Sequence, residues 1–224
     1  MNQPRLGILG GFGAVAGLHF TGQFLDAFTK ARAPFLDNEY PEFIYYNAST
    51  HIVDDSGCVD NNSEMLMNKV EALRDCGVNT LVCPCVSITP YLREITDAVG
   101  IELIDGLVLA NKYIDQMFPR SDVVVFASKS TVGSKWFRSL CSKYTFPSPQ
   151  EQLLLNKAIC AVMRNDCSEA LVSDIAELAN SYSDTPILLA CSELPLVFER
   201  FDTSHLSVVN PFQLIIEYLL AELY

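Results

Sequence analysis

Val82-Cys83-Pro84-Cys85-Val86-Ser87 and Leu188-Leu189-Ala190-Cys191-Ser192-Glu193 end in the same way: an apolar run stops at a cysteine and gives way to small or polar residues. An apolar run without alternation reads as a parallel strand buried on both faces. Open α/β sheets bind their ligands beyond the carboxyl ends of such strands. Each stretch therefore places a thiol, Cys85 or Cys191, where a strand hands over to a helix. Taken singly, either cysteine reads as a small core residue. As a pair in matching contexts they favour chemistry, with one thiol on each side of a shared substrate.

The surrounding chain fits that reading. Apolar segments at residues 5–10, 43–47, 80–84, 101–104, 122–127 and 185–190 alternate with helical periodicity at 15–30, 63–76, 90–99, 107–117, 150–163, 168–181 and 211–224. Ser63 is the expected cap of its helix and Gly77 the stop. Alternating strands and helices predict a parallel sheet flanked by helices. The pattern restarts near residues 100–105, and Gly10-Gly11-Phe12-Gly13 is echoed by Ser128-Lys129-Ser130-Thr131. The expected fold is thus α/β, with two pseudo-symmetric Rossmann-like domains and the active site in the cleft between them. The first domain takes residues 1–102 and 207–224, with Cys85; the second takes 103–206, with Cys191.

Composition narrows the function. Half of the 224 residues are hydrophobic, enough for a sizeable core, and the net charge of −12 disfavours nucleic acid as a partner. No apolar run reaches the ~20 residues that cross a bilayer. Residues 1–5 lack the features of a signal peptide, so a cytoplasmic location with reduced cysteines is expected. Eight cysteines invite a metal, but Cys83-x-Cys85 has no second close pair, and His19, His51 and His205 are scattered, so no metal site is predicted. No histidine-based triad is apparent. Gly7-Ile8-Leu9-Gly10-Gly11-Phe12-Gly13 does not match a dinucleotide fingerprint, yet its free amides suit a carboxylate. Asn47 to His51 follow a strand end, and Glu193 either orients Cys191 or a substrate amine, or caps the next helix.

These residues resemble the aspartate/glutamate racemase superfamily. The resemblance is carried by Gly7–Gly13, Pro84-Cys85 and, most specifically, Ala190-Cys191-Ser192-Glu193-Leu194-Pro195-Leu196. Val125–Thr131 and Val209-Asn210-Pro211 support it, so it spans nearly the whole chain in order. It implies two pseudo-symmetric α/β domains, a homodimer, and racemisation or epimerisation of a small amino acid without pyridoxal phosphate or any other cofactor. Inverting a stereocentre needs one group to take the α-proton and another to return one to the opposite face, roles suited to Cys85 and Cys191. Donors for the carboxylate would come from Gly11, Phe12, Gly13, Ser87, Ser130, Thr131 and Ser192.

Two departures bear on specificity. Val86-Ser87 replaces the family's Asn-Thr after the first cysteine, and Asp55 stands where aspartate-specific members carry an arginine for the distal carboxylate. An acid there repels an acidic side chain, unless Arg164 or Lys129 substitutes for the missing arginine. The competing readings are a one-cysteine decarboxylase or cis–trans isomerase of the same superfamily, and an amino-acid-binding relative without turnover.

Overall fold

A computed structural model describes residues 5–49, 63–140 and 143–224. Two compact units result, one built from residues 5–49, 63–106 and 212–224, the other from 107–211. In the first, β1 (Leu6–Gly10) leads into α1 (Ala14–Arg32), a 3-10 turn at Asp37–Glu39, and β2 (Phe43–Asn47). Next come α2 (Ser63–Asp75), β3 (Thr80–Val82), α3 (Thr89–Val99) and β4 (Glu102–Ile104). All pairings are parallel, in the order β2-β1-β3-β4, with Ile8 opposite both Tyr45 and Val82.

The second unit repeats the plan. After α4 (Gly106–Met117) come β5 (Val123–Phe126), α5 (Lys129–Gly133), α6 (Lys135–Arg138), β6 (Tyr144–Thr145), α7 (Pro149–Met163) and α8 (Glu169–Asn180). β7 (Ile187–Leu189), α9 (Leu194–Phe198) and β8 (Val208–Val209) complete it, and the parallel order β6-β5-β7-β8 matches that of the first sheet. The chain crosses between units at 106/107 and 211/212, so β4 stays whole in the first unit and β8 belongs to the second. The last helix, α10 (Pro211–Glu222), runs into the first unit. There the Arg32 guanidinium donates to the Leu220 and Tyr224 carbonyls, at 2.8 and 3.0 Å.

The central strands are apolar because helices cover both their faces: Leu6, Ile8, Leu9, Leu81 and Val82 are fully buried, as are Val123 to Ala127 and Ile187 to Ala190. Helix ends follow local rules. Gly77 and Gly100 take left-handed conformations beyond α2 and α3. At α7 the Ser148 hydroxyl accepts from the Glu151 amide, and the Glu151 carboxylate accepts from the Ser148 amide at 2.7 Å. The Ser63 side chain lies outside the described residues. β3 is shorter than the predicted 80–84, because Pro84 has no N–H to donate and the Cys85 amide turns back to the Cys83 carbonyl at 2.8 Å. The two-residue strands β6 and β8, and the short helices α5, α6 and α9, escape periodicity analysis because they are too short to show a period.

Phe126 is fully buried between Tyr182 and Phe198, with ring centroids 5.7 and 6.2 Å away. Phe126→Ala is expected to destabilise the second unit by about 3–5 kcal/mol, read as a lower denaturant midpoint. A change below about 1 kcal/mol would mean that this ring does not anchor the core.

Candidate active site

Each unit gathers its candidate residues at the carboxyl edge of its own sheet. In the first, β1 runs into the Gly11-Phe12-Gly13 turn, where Gly11 and Gly13 have φ of 99° and 95°. A Cβ on Gly11 would lie 2.6 Å from the Ala48 amide nitrogen and 3.0 Å from Asn47 Oδ1, so only glycine fits against the exit of β2. Phe12 is half-buried and Asn47 exposed. Behind this turn the Tyr45 hydroxyl is buried in the space that Gly10 and Gly17 leave open, and it has no hydrogen-bond partner among the described residues. Burial raises its pKa first, and the neighbouring Cys83 raises it further.

Cys85 is half-buried beyond β3, and its carbonyl accepts from the Thr89 hydroxyl at 3.1 Å. Ser87 is also half-buried, whereas Val86 is only 4% exposed and belongs to the core. The Val86 side chain is turned inward as α3 begins. Asp55, like His51, lies outside the described residues.

In the second unit the Ala190 amide donates to the Phe126 carbonyl at 2.8 Å, setting the ends of β5 and β7 side by side. The Cys191 thiol donates to Glu193 Oε2 at 3.0 Å, and the Ser192 hydroxyl to the same oxygen at 3.1 Å. Glu193 is 5% exposed. Burial pushes its carboxyl pKa up, and the donors from Cys191, the Glu193 backbone and Ser192 offset this in part. The result is a thiol and a carboxyl in direct contact at a strand end, able to pass a proton between them.

One strand over, Ser128 Oγ lies 2.9 Å from Ser130 Oγ and 3.0 Å from Thr131 Oγ1. Thr131 is buried and Ser130 half-buried. Two residues the sequence reading passed over hold this turn from α7. Gln152 Nε2 donates to the Ala127 carbonyl at 2.9 Å, and Asn156 Oδ1 accepts from the Lys129 amide at 2.9 Å. Their spacing of i and i+4 just after a capping box was the available signal. Lys129 is exposed at this edge. Arg164 is not: it ends α7, roughly 18 Å along the axis from Gln152 at about 1.5 Å per residue. Arg164 thus stands at the opposite end of α7 from Gln152.

The two thiols stand at nearly equivalent positions of the repeat, within one residue of each other whether counted from the strand ends or from the helix starts. Cys85 N–H to the Cys83 carbonyl (2.8 Å) corresponds to Ala190 N–H to the Leu188 carbonyl (3.2 Å). Thr89 N–H to the Val86 carbonyl corresponds to Leu194 N–H to the Cys191 carbonyl, both at 3.2 Å. Counted from the helix starts, Cys191 therefore matches Val86, Ser192 matches Ser87, and Glu193 matches Ile88; counted from the strand ends at Val82 and Leu189, Cys191 matches Pro84. The repeat places a carboxyl beside one thiol and an isobutyl-sized apolar side chain at the corresponding point of the other unit.

A carboxyl with a raised folded pKa keeps its proton where the unfolded chain has released it, so stability falls as pH rises from the ordinary value of 4.5 through the folded one. Glu193→Gln removes this slope. The stability of the variant relative to the wild type is expected to increase from pH 4.5 towards 7.5, measured by paired urea titrations. A difference that does not change with pH would mean that Glu193 ionises as freely as in the unfolded chain.

No protein-family model matches the chain. The broad-specificity amino-acid racemase RacX of Bacillus subtilis is 22% identical over 205 residues, covering 88% of this chain and 89% of that protein. The aspartate racemase of Picrophilus torridus aligns with a TM-score of 0.77 at 18% identity, over 97% of this chain and 93% of that one. An aspartate racemase homologue from Pyrococcus horikoshii aligns with a TM-score of 0.74 at 17% identity, over 97% and 98% of the respective chains. The chain has the fold of the aspartate/glutamate racemase superfamily, the superfamily its motifs resemble.

Proposed function

We propose that the protein is an amino-acid racemase or epimerase, an isomerase that inverts the α-carbon by two-base chemistry at Cys85 and Cys191. The observation that carries this reading is the Cys191 thiol bonded to a buried carboxyl at the carboxyl end of β7, in a fold that repeats the plan around Cys85. In this reading one cysteine, as thiolate, removes the α-proton while the other, as thiol, donates a proton to the opposite face; the reverse direction exchanges the roles. Glu193 accepts the Cys191 proton as the thiolate forms and returns it afterwards, so that Cys191 can serve as base or acid near neutral pH. Cys85 is tuned differently, since Ile88 stands where Glu193 stands in the second unit.

Charge that develops on the substrate carboxylate calls for fixed donors. The Gly11–Gly13 amides, Ser87 and Ser130 fit that task, because Ser192 already donates to Glu193 and Thr131 is buried. The reaction as proposed needs no pyridoxal phosphate, since thiols and backbone donors supply the proton transfer and the charge stabilisation. Asp55 in place of a distal-carboxylate arginine, and Arg164 at the far end of α7, favour neutral side chains. Lys129 at the β5 edge is the basic group that would admit an acidic one. The broad specificity of the Bacillus subtilis relative agrees with a site not restricted to aspartate. A dimer is part of the proposal by resemblance alone.

The contrast between Glu193 and Ile88 also favours a second reading, in which only Cys191 transfers protons and the reaction uses one base. Incubation with individual L- and D-amino acids in heavy water separates the two. Two-base action yields both enantiomers carrying α-deuterium, from either starting enantiomer, with or without added pyridoxal phosphate. Cys85→Ala and Cys191→Ala are each expected to slow racemisation by about 10²–10⁴-fold with the fold retained by circular dichroism. Exchange that retains configuration supports the one-base reading, and a Cys85→Ala variant that racemises at the wild-type rate excludes the two-base one.

A further inference from the structure

Cys83 is a thiol that the proposed reaction leaves unused. It sits two residues before Cys85 and is 8% exposed, whereas Cys85 is half-buried. In an extended strand the two Cα atoms would be roughly 7 Å apart with both side chains on one face. Here the Cys85 amide bonds back to the Cys83 carbonyl at 2.8 Å, which closes a three-residue turn around Pro84. The turn draws the two positions together, towards the ~4.4–6.8 Å that a disulfide spans. The two sulfurs sense each other: burial, and then the charge of Cys85, raise the Cys83 pKa while the Cys85 backbone N–H partly counters both, so Cys83 is the slower nucleophile of the pair. The Tyr45 hydroxyl also neighbours Cys83.

We propose that Cys83 and Cys85 form an oxidation site, at which a hydroperoxide converts the pair into an intrachain disulfide that withdraws Cys85 from use. The more accessible Cys85 reacts first. Its thiolate attacks the peroxide, an S–O bond forms as the O–O bond breaks, and an alcohol or water leaves with the proton. The Cys83 sulfur then attacks the resulting sulfenic acid, loses its own proton, and expels water as the S–O bond breaks. Two thiols are oxidised and one hydroperoxide is reduced. Burial suits Cys83 to the second role, because it is shielded from the oxidant yet adjacent to the sulfur it attacks. In the second unit Ala190 and Leu188 hold the corresponding positions, so Cys191 has no such neighbour in its own turn.

The test uses the full-length protein, treated with hydrogen peroxide under native conditions, then alkylated and digested with trypsin. Residues 75–93 form one peptide that contains Cys76, Cys83 and Cys85. The expected product has lost two hydrogens, with fragment ions confining the bridge to residues 83–85 and Cys76 alkylated. This readout stands whether or not Cys85 is a base. The second readout rests on the proposed function: α-proton exchange falls in step with bridge formation and dithiothreitol restores it. In Cys83→Ala, Cys85 should instead advance to the sulfinic acid, and the lost activity should resist dithiothreitol. The proposal is overturned if Cys83 and Cys85 both remain alkylatable in peroxide-treated wild type, if the bridge joins Cys76, or if Cys83→Ala recovers as fully as the wild type.

Discussion

The Ala190 amide donates to the Phe126 carbonyl at 2.8 Å, and beyond that bond the chain leaves the sheet in both directions. Parallel strands buried on both faces leave chemistry to the turns beyond their carboxyl ends. Leu188, Leu189, Val125 and Phe126 are buried to within 1% of complete, so Cys191 and the Ser128–Thr131 turn stand on a rigid base. The same holds for β1 and β3, whose ends carry the glycine turn and Cys85.

Burying Glu193 is costly, because a carboxyl removed from water must find donors or keep its proton. Two donors are found within two residues, at Cys191 and Ser192. Such an arrangement is a poor stabiliser of the fold. Its counterpart in the first unit is Ile88, which needs no partner and simply fills the core. Pseudo-symmetry of the backbone thus coexists with unlike electrostatics around the two thiols.

The hydroxyl turn of the second unit depends on a helix further along the chain. The capping box of Ser148 and Glu151 sets where α7 starts, and that start places Gln152 and Asn156 against Ala127 and Lys129. The Tyr182 hydroxyl donates to Glu151 at 3.2 Å, so the turn that follows α8 is linked to the same cap. The hydroxyls of that turn pair with one another, and α7 holds its backbone.

Local order along the chain was enough to read the α/β alternation and the larger helices, because apolar runs and helical periodicity reflect burial directly. The two-residue strands β6 and β8 were not legible, since their pairing is set by neighbours distant in sequence. Nor was the inward turn of Val86, the bond between Cys191 and Glu193, or the distance of Arg164 from the edge where Gln152 and Asn156 sit. Those depend on where a helix starts and which way it runs. The residue types suited to proton transfer were thus written in the sequence, while their protonation and their partners follow from burial, which exists only once the sheet is assembled.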